Sequence, residues 1–94
     1  MKKILFLLMI PVLCFGQTAS DFLESGNSKY YLKDYEGAIA DFNKAIQLNP
    51  DYDDAYKNRG ISKENLGQPY CSDYKKACDL GESDCCEWYN NQCR

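Results

Sequence analysis

Residues 21–54 repeat themselves further along the chain. Gly26 recurs as Gly60, Phe22 is answered by Tyr56 and Lys29 by Lys63, each 34 positions later. This period constrains the fold more than any other feature. A unit of that length has room for two short helices and cannot bury its apolar face alone, so it must stack on a neighbour of its own kind. The expected class is all-α, built from antiparallel helical hairpins.

The first unit reads cleanly. Phe22, Leu23, Gly26, Tyr30 and Tyr31 fall three and four apart and predict a helix over Thr18–Lys33, with Thr18 or Ser20 as its cap. A second helix is predicted over Tyr35–Leu48, capped by Asp34, with Ala38, Ile39, Phe42, Ala45 and Ile46 on its buried face and Asn49-Pro50 as its stop. Gly26, Tyr35, Ala38, Phe42, Ala45 and Pro50 stand at the intervals of the tetratricopeptide repeat (TPR), and the chain resembles that family over about Ala19–Leu80. The small residues have a physical reason, since Gly26 and Ala38 lie where the two helices of a hairpin approach closely. Lys29 departs from the pattern, which has Tyr there, and its neighbour Tyr30 is the candidate to supply the ring.

The second unit is shortened. Asp53 is its expected cap, and Ala55, Tyr56, Gly60 and Leu66 lead to Gly67 at the end of its first helix. Gly67 and Tyr74 are two residues closer than the matching Lys33 and Phe42, and Pro69 intervenes, so the second helix starts late and spans about Tyr70–Leu80, ending at Gly81. Asp84 and Glu87 form a capping-box pattern for a last helix, in which Trp88 takes the place of Phe22 and Tyr56 and covers the open end of the stack. The expected layout is thus repeat one over 19–52, a shortened repeat two over 53–82 and a capping helix over 83–94, within one domain over 17–94.

Met1-Lys2-Lys3 and the apolar run Ile4–Phe15 read as a secretory signal peptide over 1–16, cleaved before Gln17. The run is shorter than the roughly 20 apolar residues of a membrane span. Lipid anchoring at Cys14 is disfavoured because Leu13 stands where a lipoprotein signal needs a small residue. The expected location is periplasmic or secreted. The chain carries a formal charge of -3, and loss of Lys2 and Lys3 makes the remainder more acidic, so no basic stripe is left for nucleic acid. With no histidine in 94 residues, Ser-His and Cys-His catalysis and histidine metal sites are excluded.

Of the six cysteines, five lie beyond the leader, and export favours their oxidation. Residues that face each other across an antiparallel hairpin have position numbers with a constant sum. Cys71 with Cys93 and Cys78 with Cys86 share one such sum, and the partners on each helix are seven apart, on one face. These two bridges are expected, with Cys85 left over. Counted in the repeat frame, however, Cys86 and Cys93 fall at groove positions, so Cys85 stands as the alternative to Cys86. A bridge closing a loop of about 20 residues contributes on the order of 3 kcal/mol and would replace a missing repeat. No Cys-x-x-Cys occurs, which argues against a redox enzyme or a zinc knuckle.

The family resemblance implies a concave groove lined by first helices. Carried over by position, it comprises Leu23, Asn27, Tyr30 and Tyr31 from the first unit, and Lys57, Ile61, Glu64 and Asn65 from the second. Tyr30 and Tyr31 serve equally well as packing residues at this spacing. Asn27 and Asn58 match the asparagines of the carboxylate-clamp members, but Leu23 replaces the first clamp lysine and the third repeat is absent, which argues against a clamp. The expected function is non-enzymatic binding of an unidentified protein or peptide, with no cofactor and no metal. A purely structural envelope-associated protein and a cysteine-based redox or metal-binding protein are the alternatives.

Overall fold

The computed structural model describes residues 17–94, so the leader and Cys14 lie outside the described residues. Five helices follow in order: α1 Ala19–Tyr31, α2 Tyr35–Leu48, α3 Asp53–Asn65, α4 Cys71–Asp79 and α5 Ser83–Gln92, with no strand among the described residues. Each helix packs on the next, and α1 also touches α3.

The turns explain why the helices end where they do. Lys33, Gly67 and Gly81 have φ of 66°, 73° and 113°. In each case the N–H of this left-handed residue and the one after it fold back onto the last turn. Lys33 and Asp34 donate to the carbonyls of Tyr30 and Lys29, Gly67 and Gln68 to Glu64 and Lys63, and Gly81 and Glu82 to Cys78 and Ala77. This is one closing motif used three times. Thr18 starts α1 with a full capping box, its Oγ1 accepting from Asp21 N at 3.1 Å while Thr18 N donates to Asp21 Oδ2 at 3.0 Å. Asp34 caps α2 through Gly37 N.

Two expected caps are corrected. Tyr52, not Asp53, is the N-cap of α3, because Asp53 already lies in the first turn and its carboxylate accepts from Asp54 N. Glu82 is the N-cap of α5 and no side chain caps it, since the early start at Ser83 draws Asp84 inside the helix and the Asp84/Glu87 box does not form.

That early start also shifts the repeat frame. Glu82 follows Tyr52 by 30 residues, so Cys85 answers to Ala55 and Cys86 to Tyr56, while Trp88 falls two residues beyond the place expected of it. Trp88 still closes the stack, with its ring centroid 5.3 Å from that of Tyr74.

The core follows the small residues. Phe42, fully buried, lies over Gly26, and Tyr74, 1% exposed, lies over Gly60. Ala38, Ala45, Ala55 and Ala77 are fully buried, whereas Ile39 and Ile46 are half-buried. Tyr74, Ala77 and Cys85 form the second core, flanked by Tyr56, Ile61, Tyr70, Cys78, Trp88 and Tyr89. Cys71 lies with Cys93 and Cys78 with Cys86 at disulfide distance, their Cα atoms 5.8 and 4.7 Å apart. Cys85 is free and buried.

Tyr30, the candidate to supply the missing ring, packs edge-on against Tyr31 on its own helix and against Tyr35 at the start of α2, each centroid 5.5 Å away. An ion pair crosses each hairpin from the lysine that departs from the pattern: Lys29 to Asp41 at 3.0 Å, and Lys63 to Asp73 at 3.3 Å. Arg59, which stands where the first unit has Ser25, adds two hydrogen bonds to Asp73 at 2.9 and 2.7 Å and one to Asn43. Asp73 is 2% exposed, and these donors supply the partners that a buried carboxylate requires.

Candidate functional site

α1 and α3 are first helices of successive hairpins, and the contact between them opens a cavity of about 160 Å³ lined by Asn27, Tyr30, Tyr31, Asn58 and Ile61. Four of these were expected in the groove. Asn58 joins them because its Nδ2 donates to Asn27 Oδ1 at 2.8 Å, tying the two helices together across the floor of the site. The sequence carried a signal for Asn58, its match to a clamp asparagine, but the positional carry-over placed Lys57 in its stead.

The other expected residues are engaged elsewhere. Lys57 lies 3.7 Å from Glu82 and over the Trp88 ring, 5.8 Å from its centroid. Glu64 accepts a 2.7 Å hydrogen bond from the Tyr74 hydroxyl. Asn65 turns back onto its own helix and donates to the Ile61 carbonyl. Leu23 is half-buried and is not part of the cavity lining. The pocket lies near the C-terminal half of α1 and brings together Asn27, Tyr30, Tyr31 and Ile61 with Asn58.

Its chemistry is neutral. Two amides, two phenols and one aliphatic side chain can pack against a ligand and exchange hydrogen bonds, but they offer no nucleophile paired with a base. Tyr31 stands at the rim, 80% exposed, beside Leu32 at 77%.

The displaced titratable groups lie outside this pocket. Burial, the hydrogen bond to Glu64 and the Glu64 charge push the Tyr74 hydroxyl well above its usual range. Burial pushes the Cys85 thiol up to about 11, so it stays protonated and unreactive at neutral pH. The Glu82 carboxyl is raised by burial and by its hydrogen bond with Asp54, against the opposing pull of Lys57. Carboxylate oxygens of Asp53, Asp54 and Glu82 come within 4.8 Å of one another, a grouping that could hold a cation. Four of the five described cysteines are paired, which consumes the thiols on which thiolate metal or redox chemistry would rest.

Residues 26–67 match the family model described as TPR repeat, a span running from the middle of α1 to the turn after α3. Over 67 residues the chain is 36% identical to "Protein STIP1 homolog" of Dictyostelium discoideum. Both findings support the tetratricopeptide-repeat family. The match to that relative covers 69% of this chain but only 12% of the relative's length. No solved structure matches the chain. α4 and α5 lie beyond the family match, in the part of the molecule that carries the cysteine pairs.

Proposed function

We propose that this chain is a non-enzymatic interaction module of the TPR type, exported and stapled at its C-terminal end, which takes a segment of a partner protein on the α1–α3 face. The observation that carries this reading is the pocket itself, formed jointly by two first helices at four positions that the family pattern assigns to ligand contact and bordered by an exposed Tyr31. Residues 1–16 act as the leader, residues 19–52 and 53–82 as the two repeats, and residues 83–94 as the cap. The Cys71–Cys93 and Cys78–Cys86 bridges substitute for the third repeat that a free-standing stack needs.

Selection from a displayed random-peptide library tests the module. The oxidised protein is expected to enrich peptides that lose binding when Ile61 is changed to Asp, with helical content unchanged. An empty selection, or binders indifferent to Ile61→Asp, sinks the reading. N-terminal sequencing of material recovered outside the producing cells should begin at Gln17.

A further inference from the structure

We propose that α5 is a redox-gated latch: Cys71–Cys93 is the lock, and once it opens Cys85 exchanges into the Cys78–Cys86 bridge, leaving α5 tethered through Cys78–Cys85 with Cys86 as the free thiol. The inference goes beyond the interaction-module reading and does not depend on it.

Placement is the first argument. Three of the five described cysteines meet where α4 turns into α5, with Cys78 in the last turn of α4 and Cys85 and Cys86 in the first turn of α5. Cys85 and Cys86 are neighbours, about 100° apart around the helix. In the docked helix Cys85 is fully buried with Tyr74 and Ala77, while Cys78 and Cys86 are both half-buried and face each other, their Cα atoms 4.7 Å apart. Turning α5 by that single residue step brings Cys85 to the place of Cys86. One set of three sulfurs thus has two bridge isomers, and the docking of α5 selects between them.

What holds the turn back is the second. α5 has 10 residues and no side chain caps its start, so it is marginal as a helix by itself. Its far half packs through the Trp88 ring, 5.3 Å from that of Tyr74, and through Gln92, which accepts from the Tyr70 hydroxyl at 3.0 Å. The covalent hold on that half is Cys71–Cys93, and both of its cysteines are half-buried, within reach of a small thiol.

The chemistry balances in two steps. A small dithiol reduces Cys71–Cys93, delivering two electrons and two protons to its sulfurs and itself closing to a cyclic disulfide. With α5 free to turn, the Cys85 thiol leaves the site where burial had pushed it up to about 11, gives its proton to solvent and attacks Sγ of Cys78. The Cys78–Cys86 bond breaks as Cys78–Cys85 forms, and Cys86 leaves as a thiolate that takes up a proton. This second step consumes no oxidant or reductant.

Differential alkylation tests the latch, because direct reduction of Cys78–Cys86 frees both of its thiols whereas exchange frees Cys86 alone. The oxidised protein, treated with one equivalent of dithiothreitol and trapped with N-ethylmaleimide, is mapped by tandem mass spectrometry. Label is expected on Cys71, Cys93 and Cys86, with Cys86 labelled several-fold more than Cys78. The Cys71→Ser/Cys93→Ser variant should give the same Cys86 label without any reductant, while α1 and α2 keep their protection from hydrogen exchange. Label on Cys85 with none on Cys86 would show a helix that opens without exchanging, and it overturns the proposal. Equal label on Cys78 and Cys86, or an unlabelled α5 once Cys71 carries label, overturns it too. If the double variant loses protection in α1 and α2, the measurement on the unaltered protein decides.

Discussion

A methyl group placed on Gly26 would sit 2.5 Å from Cε1 of Phe42, and one on Gly60 would sit 2.6 Å from Cε1 of Tyr74. Both rings are buried and cannot withdraw, so Gly26→Ala and Gly60→Ala should each destabilise by about 1–3 kcal/mol in urea unfolding, although alanine favours helix. An unchanged midpoint would show that the rings are free to move. Ser62 is the opposite case. It is fully buried in α3 and its hydroxyl has no hydrogen-bond partner among the described residues, so Ser62→Ala should raise stability by about 1 kcal/mol, and a loss would reveal a hidden partner. Cys85 gives a chemical prediction. Protein lacking residues 1–16 should show no thiol reactive to Ellman's reagent when native and one per chain when denatured without reductant; more than one would refute the pairing. The folded thiol titrates near 11 and the unperturbed one at 9.0. The unfolded chain therefore releases this proton first, so the contribution is fully present below pH 9 and is lost as pH rises toward 11. The close helix approach at Gly26 was legible in the repeat pattern, but the ring that fills the space over it was seen only in the packed fold. The orphan hydroxyl was not legible, because satisfaction of a polar atom depends on neighbours brought in by the fold.

At the scale of elements, α5 depends most on covalent support. An isolated helix of 10 residues is marginal in water, and the chain-entropy model gives about 3.4 kcal/mol for the bridge spanning 22 residues and about 2.5 kcal/mol for the one spanning 8. Cys71→Ser with Cys93→Ser should therefore expose α5 amides to hydrogen exchange while α1 and α2 keep their protection. Uniform loss of protection would mean that the molecule unfolds as a single unit. The pairing of Cys86 rather than Cys85 was left open by the sequence because two frames competed. The turn at Leu80-Gly81-Glu82 resolves it: it closes like the turns inside the hairpins, brings α5 in two residues early, and places Cys85 in the core position of Ala55. A tight turn outranked the repeat period. The Lys–Asp pairs were visible in retrospect, since Asp41 and Asp73 recur in the same frame as Phe42 and Tyr74, yet a charged pair has no periodicity of its own to draw attention.

For the molecule as a whole, the ends of the stack matter most. Ala55 and Ser62 on α3 are fully buried, whereas the matching positions on α1, Asp21 and Ser28, are exposed. A polar outer face of this kind ends a helical array, so residues 17–94 should sediment as a monomer, and a dimer formed through α1 would contradict this. The sequence by itself determined the all-α class and the hairpin period, because each is a regularity along the chain that local geometry converts directly into position. Only the tertiary structure decided which groove residues meet. Lys57 and Glu64 were read as groove residues, but Glu82 and Tyr74, distant in sequence, engage them. Asn58 entered because its amide reaches Asn27 across 31 positions. Side-chain partners are chosen by proximity and charge after the helices have packed, and the linear order of residues does not contain that choice.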